Sequence, residues 1–104
     1  MPEPVYMVAM IDVKDYQTYA EEYGMPVARM FAEVGAEILV ATTEPDVLEG
    51  SWPGNWTVVV KVPSAEVARA LYESEAYAPF KKARIERLAN ETHFAILPGL
   101  GAAG

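Results

Sequence analysis

The sequence contains no cysteine and a single histidine, His93. Without cysteine the chain has no disulfide, no catalytic thiol and no thiolate metal site, which fits a reducing compartment. One histidine cannot supply the several nitrogen or sulfur ligands that zinc requires. We therefore expect a cytoplasmic protein with no metal site and no cofactor.

Positive charge is also scarce, because 8 lysines and arginines face 15 acidic residues and leave a net charge of −7. Nucleic-acid binding depends on basic side chains that neutralise phosphates, and no basic patch is present. The apolar N-terminal stretch lacks basic residues and is interrupted at Asp12, so it predicts neither a signal peptide nor a membrane span. We expect no nucleic-acid partner and no membrane partner.

The spacing of apolar residues along the chain predicts one α+β domain over residues 4–97, followed by a flexible tail at 98–104. Two helical stripes separate the predicted strands. The strands are expected at 5–13, 37–43, 56–62 and 91–97. The order βαββαβ is the ferredoxin-like pattern, a four-stranded antiparallel sheet with helices on one face.

Local signals refine this assignment. Asp15 and Ser64 are suited to cap the first and second helical regions. Pro26 lacks an N–H, so we expect a kink or short break in the first helix, which should end at Gly35. Pro53-Gly54 predicts a type II turn in the long loop that follows the second strand. Val47 to Glu49 in the same loop is expected to form a short edge strand.

The second face of the predicted sheet is also apolar. Val8 and Met10 in the first strand, and Val59 in the third, alternate with the residues expected to face the helices. An apolar face of this size is rare on a monomer. We expect a second copy to cover it, which predicts a homodimer through the sheet face. The alternative is that the helices and the loop of residues 44–55 wrap both faces.

Several short segments resemble a known family. They include the stretches LEG-x-W-P, PS and SEAY, and their residues are Asp15-Tyr16, Tyr19, Gly35, Leu48-Glu49-Gly50, Trp52-Pro53, Pro63-Ser64, Ala68, Tyr72, Ser74, Tyr77 and Arg84. Over about residues 5–97 the chain is similar to domain-of-unknown-function family 1330, within the dimeric α/β-barrel superfamily. The resemblance implies two sheets packed face to face in a homodimer. It implies no particular reaction, although relatives of the fold include cofactor-free monooxygenases, muconolactone-type isomerases and haem-degrading enzymes.

Aromatic hydroxyls and one arginine are the candidate ligand-binding groups. The helical layer carries several phenols, which can line a cleft against the sheet or simply pack in the core. They are Tyr16, Tyr19, Tyr23, Tyr72 and Tyr77, of which Tyr16, Tyr19 and Tyr77 are the chosen binding candidates. Arg84 lies on the apolar side of its helix, where it can hold a carboxylate bidentately or pair with a nearby acid. Trp52 lies in the long loop, where we expect the mouth of a pocket.

Two further residues are candidates for acid or base chemistry. Glu49 lies close to Trp52 in the sequence, and a carboxylate beside an aromatic ring can exchange protons with a ligand. A solvated loop position explains Glu49 equally well. His93 is suited to act as a general base because histidine titrates near neutral pH, or it serves only a structural role on its strand.

Two hypotheses of function follow from these residues. The first is a homodimeric protein that binds a small, partly apolar organic molecule between helices and sheet, with cofactor-free acid/base or oxygenation chemistry as an extension. The second is a non-catalytic dimerisation or accessory module whose cleft is filled by its own side chains. An open cleft that contains Arg84 and a carboxylate favours the first hypothesis, and a closed, well-packed interface between helices and sheet removes it.

Overall fold

The computed structural model describes residues 3–100 and has the predicted βαββαβ order. Two helical regions connect the strands on the same side of the sheet. The elements are β1 (Val5–Val13), α1 (Tyr16–Tyr19), a first π-helical segment (Ala20–Gly24), α2 (Met25–Glu33), β2 (Glu37–Thr42), β3 (Trp56–Val62), α3 (Ala65–Tyr72), α4 (Ala78–Ala83), a second π-helical segment (Arg84–Leu88) and β4 (Ala89–Pro98).

The four strands form one antiparallel sheet in the order β2-β3-β1-β4. Every second residue of β1, from Val5 to Val13, is buried against the helices, as period-two alternation requires. The predicted ferredoxin-like α+β fold is confirmed. Within residues 3–100 no helix is both long enough and apolar enough to cross a membrane.

The first helical region is continuous, so the break expected at Pro26 does not occur. The chain instead widens one turn earlier, where the N–H of Met25 bonds to the carbonyl of Ala20, five residues back. This wider turn accommodates the hydrogen bond that proline cannot make. The predicted ends are confirmed, because Asp15 accepts from the N–H of Thr18 at 3.2 Å and Gly35 has φ +79°.

The second helical region is interrupted after α3. Ser64 Oγ accepts from the N–H of Val67 at 3.2 Å, which confirms the predicted cap. Ser74 begins the turn that leads into α4, because its Oγ accepts from the N–H of Tyr77 at 3.1 Å. The bond between Tyr77 and Ser74 fixes the backbone just before α4, and α4 continues into the π-helical segment that carries Arg84.

The loop of residues 43–55 contains no strand, so the edge strand expected at Val47 to Glu49 is wrong. Pro45 has no N–H to donate to a strand ladder, and Leu48 is 88% exposed. The predicted turn is supported by the φ of +79° at Gly54. The loop is fixed to β1 by Asn55, whose side chain accepts from the N–H of Val13 at 2.8 Å and donates to its carbonyl at 3.0 Å.

The outer face of the sheet, which points away from the helices, is covered by this loop at one end only. Trp52 Nε1 donates to Thr57 Oγ1 at 2.9 Å and buries that threonine. Further along the face Val59 is half-buried, while Val40 and Leu97 are 41% and 47% exposed. The helices and the loop of one chain therefore leave much of this apolar face open.

The C-terminal strand extends one residue beyond the predicted 91–97, because Pro98 still pairs with Val5. Residues 101–104 of the predicted tail lie outside the described residues.

Candidate ligand-binding site

A cavity of about 90 Å³ lies between the first helical region and the sheet. Its walls are apolar or aromatic side chains from both layers. The sheet contributes Met7, Ala9, Ile11, Trp56, Val58, Val60 and Phe94, and the helices contribute Tyr19, Tyr23, Val27 and Phe31. We call this cavity the cleft.

The cleft opens along the edge strand β2. Ile38 and Ala41 pair with Val60 and Val58, so their side chains face the helices. Val60 is 1% exposed, whereas Ile38 in the same register is 42% exposed. The helices thus bury Val60 on β3 but leave Ile38 on β2 partly exposed, so the cleft opens to solvent beside Ile38.

Arg84 lies behind the inner wall of the cleft, where its side chain is 1% exposed. Its guanidinium carbon is 5.6 Å from the centre of the Tyr23 ring and 5.2 Å from that of Phe94. Both rings line the cleft. Cation–π contact with the two rings partly compensates for the lost hydration of the charge.

Two nitrogens of Arg84, Nε and Nη2, are buried and have no acceptor in hydrogen-bonding geometry among residues 3–100. The hydroxyls of Tyr72 and Tyr77 lie near enough to the guanidinium to raise its pKa. The ion pairs in the same part of the chain use other cations, Arg69, Arg87 and His93. A buried charge without a counter-ion costs several kcal/mol. Nε and Nη2 lie on one edge of the guanidinium, the edge that binds a carboxylate through two parallel hydrogen bonds.

The tyrosines around Arg84 form a connected aromatic cluster. The hydroxyls of Tyr23 and Tyr77 are hydrogen-bonded to each other, and the ring of Tyr19 packs 5.1 Å from that of Tyr23. Burial raises the pKa of Tyr19 and of Tyr23 well above the usual range of a phenol. Both phenols therefore keep their protons at physiological pH. They can donate hydrogen bonds but are unsuited to act as bases.

Burial by itself lowers the pKa of Arg84, but the neighbouring Tyr23 and Tyr77 outweigh this effect and the pKa lies above its ordinary value. Arg84 consequently keeps its positive charge inside the protein. The cluster offers a fixed cation and phenolic hydroxyls to an anionic group.

The two central groups both belong to π-helical segments, Tyr23 to the first and Arg84 to the second. Such segments are rare and recur at functional sites. The Gly24 and Pro26 pair is a sequence signal for irregularity in the first helical region, while the second has no comparable signal. Tyr23 and Phe94 both lie between Arg84 and the cleft. The sequence placed Tyr23 among the phenols that can line a cleft, but it gave no signal for Phe94 beyond its place in a strand.

Three of the predicted ligand-binding residues, Tyr19, Tyr77 and Arg84, come together in this cluster. Tyr16 does not join it, because its ring packs edge-on against Trp56 at 6.2 Å and its hydroxyl donates to the carbonyl of Asn55. The residues predicted near the pocket mouth, Glu49 and Trp52, are absent from the cleft wall.

The two acid/base candidates lie elsewhere. Glu49 is exposed in the loop, and Trp52 beside it binds Thr57 on the outer face. His93 pairs with Met10 on the outer face, and its Nε2 is 3.7 Å from a carboxylate oxygen of Glu91. The sheet therefore separates His93 from the cleft, and neither candidate can exchange a proton with a ligand bound there.

Across residues 3–100 no cluster of three or more His, Asp or Glu side chains is arranged to hold a metal ion.

Solved structures of similar fold have distant sequences. A protein of unknown function from Rhodopseudomonas palustris superposes with a TM-score of 0.74 at 14% identity, over 96% of this chain and 85% of that one. A protein from Nitrosomonas europaea, provisionally named an antibiotic biosynthesis monooxygenase, gives 0.67 at 16% identity over 96% and 93%. A protein from Bacteriodes thetaiotaomicron with the same provisional name gives 0.54 at 11% identity over 93% and 88%. At such identities the similarity shows the fold alone.

No curated protein matches the sequence. Residues 4–100, nearly the whole chain, match the family described as Domain of unknown function (DUF1330). This match confirms the resemblance seen in the short segments of the sequence. The chain belongs to the DUF1330 family and has the fold of the dimeric α/β-barrel proteins.

Proposed function

We propose that this protein binds a small organic carboxylate in the cleft. The apolar part of the ligand packs between Val27 and Val58. Rotation of the Phe94 ring, which separates the cleft from Arg84, lets the carboxylate accept hydrogen bonds from Nε and Nη2 of Arg84. The observation that carries this proposal is the free bidentate edge of a buried guanidinium beside an apolar cavity. An anion at this edge supplies the counter-ion that the described residues lack.

The volume of the cleft sets the size of the ligand. The cavity holds about 90 Å³, and one water molecule in liquid water takes up about 30 Å³. A short acyl chain or a small ring fits this space, and a larger body would extend past Ile38 into solvent. The expected ligands are therefore compact monocarboxylates with an apolar body.

The chemistry of the wall supports binding more than proton abstraction. In the described part of the chain the cleft is lined by no Asp, Glu or His, and burial keeps Tyr19 and Tyr23 protonated. A reaction in this site would need its base from the substrate or from outside the cleft. The oxygenation suggested by the provisional name of the Nitrosomonas europaea protein remains an extension of the binding function, not a requirement of it.

The cleft is open at β2, which speaks against an accessory module whose cleft is filled by its own side chains. Neither Arg84 nor a carboxylate lines the cleft, so only the openness of the cleft supports the first hypothesis over the second. Dimerisation is compatible with either hypothesis. We propose a homodimer in which the outer faces of two sheets pack about a twofold axis, burying Val8, Val59 and Leu97. This arrangement removes exposed apolar surface without closing the entrance to the cleft, which lies on the helix side.

Thermal unfolding with matched ligands tests the binding proposal. Butanoate, hexanoate and benzoate should stabilise the protein, while butanol, hexanol and benzyl alcohol should not. At a hundredfold excess over Kd the expected stabilisation is about 2.7 kcal/mol. In a domain of this size that corresponds to a rise in Tm on the order of 10 °C.

Two arginine variants identify the site. Arg84→Met should weaken carboxylate binding about 10- to 100-fold, because hydrogen bonds to a charged group contribute about 1.5–3 kcal/mol. Arg87→Met is the matched control, since Arg87 belongs to the same π-helical segment but its side chain is 56% exposed. Equal stabilisation by acids and alcohols, or an equal response of both variants, would refute the proposal.

A further inference from the structure

A second cavity, of about 230 Å³, lies at the opposite edge of the sheet between α3 and β4. Met7 and Phe94 line both this cavity and the cleft. We infer that the two cavities are the halves of one channel that runs between helices and sheet, from the β2 edge to the β4 edge. This inference rests on the proposed function, because it extends the same ligand site.

The partition between the halves consists mainly of one aromatic ring. Met7 is 2% exposed and fixed in the core, whereas Phe94 is only half-buried. The Phe94 ring packs edge-on against Tyr72 at 5.6 Å and lies 5.2 Å from the guanidinium carbon of Arg84. A rotation of this ring would connect the halves. Arg84 lines neither half, but it contacts the ring that both halves share, so rotation of that ring would expose its guanidinium near the midpoint of the channel and not at its end.

The two halves differ in chemistry. The β2 half is bounded by Val27, Phe31 and Ile38, all apolar. The β4 half is bounded by Arg69 and Tyr72, and the ammonium group of Lys81 lies 4.5 Å from the centre of the Tyr72 ring. One mouth therefore favours a hydrocarbon group, and the other favours a group that accepts hydrogen bonds from cations.

This asymmetry defines a ligand class. A carboxylate at the midpoint, with an apolar arm on one side and a polar arm on the other, describes a carboxylic acid substituted at carbon 2. The polar arm carries a hydrogen-bond acceptor, as in an N-acyl amino acid. A linear acid such as pentanoate would occupy only the β2 half.

Isothermal titration with pentanoate and N-acetylnorvaline tests the channel, because these acids differ only in the acetamido group at carbon 2. Wild-type protein should bind N-acetylnorvaline about tenfold more tightly, the gain expected from one hydrogen bond to a charged group. Ile96→Phe should narrow the β4 half and reduce that preference, because Ile96 lines this half but not the cleft. Arg69→Gln should reduce the preference without endangering the fold, since the Arg69 side chain is 70% exposed.

The outcomes separate this inference from the proposed function. If pentanoate binds through Arg84 but N-acetylnorvaline binds no more tightly, the channel is refuted and the cleft stands. The same conclusion follows if the preference survives both Ile96→Phe and Arg69→Gln. If pentanoate does not bind in an Arg84-dependent manner, the proposed function fails and the channel fails with it.

Discussion

The two faces of the sheet are incomplete in opposite ways. The helix-side face buries a positive charge, Arg84, that forms no ion pair among the described residues. The outer face exposes apolar side chains, Val40 and Leu97 among them, for which they provide no cover. On each face, therefore, the single chain leaves one interaction unmade. An anion would complete one face, and a second copy would complete the other.

The largest effect is expected on the outer face. Val59 is central there, since it pairs with Val8 on β1 and with Val40 on β2. Val59→Glu would place two unpaired carboxylates in the proposed interface, at a cost of several kcal/mol. Light scattering should report twice 11.4 kDa for the wild type and 11.4 kDa for the variant.

Ile85→Glu is the control for that experiment. It introduces the same charge at an aliphatic residue that is 51% exposed on the helical layer. It should leave the mass at twice that of one chain. A wild-type protein that is monomeric at working concentration would refute the proposed dimer through the outer face.

The next largest effect is expected in the loop that joins the two faces. Gly54 has φ +79°, and an added Cβ would lie 2.6 Å from the carbonyl oxygen of Ile11. Gly54→Ala should lower the free energy of unfolding by about 3 kcal/mol, because backbone strain and a backbone clash act together. Gly50→Ala is the matched control, since Gly50 has φ +75° and no neighbour within 4 Å of the added Cβ. Its cost should be about 1 kcal/mol, and denaturant titration measures both. Equal costs would show that the loop is not held against β1.

Arg84→Met tests whether the buried charge on the helix-side face destabilises the ligand-free protein. Replacing a buried charge with an apolar side chain of similar length should raise the stability of the ligand-free protein by about 1–3 kcal/mol. The same variant should gain much less stability from carboxylates than the wild type, so its own stability and its ligand response change in opposite directions. Loss of stability in the ligand-free variant would mean that Arg84 has an internal partner, contrary to its free bidentate edge.

The smallest effect concerns the one part of the outer face that is already covered. Trp52→Phe keeps the ring over Thr57 but removes the 2.9 Å hydrogen bond, which should cost about 1 kcal/mol. Adding Thr57→Val should restore most of this loss, because no buried hydroxyl is then left without a donor. Additive losses in the double variant would contradict this assignment of the contact.

The fold could be predicted from the sequence because its signals are local and consistent. Alternation in β1 separated two faces, and Asp15, Ser64 and Gly35 marked helix ends through bonds that involve neighbouring residues. The site could be predicted only in part. Arg84 on an apolar helix side indicated a buried cation, but the absence of a partner depends on the positions of residues distant in sequence.

Three of the predicted site residues, Glu49, Trp52 and His93, lie away from the cleft for related physical reasons. Glu49 and Trp52 lie close together in the sequence, yet the loop runs towards the outer face and away from the cleft. His93 alternates with Phe94 along β4, so it had to point away from the helices. The π-helical segments could not be predicted. Each is only five residues long, and over so short a segment the spacing of apolar residues does not distinguish a π-helical turn from an α-helical one.

Nuclear magnetic resonance of the arginine Nε–H groups tests the central claim most directly. Arg84 is the one arginine that is buried, so its Nε–H should exchange slowly with solvent and disappear in Arg84→Met, while the exposed Arg29, Arg69 and Arg87 exchange fast. Titration with hexanoate should shift this resonance in a saturable way, and hexanol should leave it in place. A resonance that does not move at saturating hexanoate would contradict the assignment of Arg84 as the carboxylate anchor.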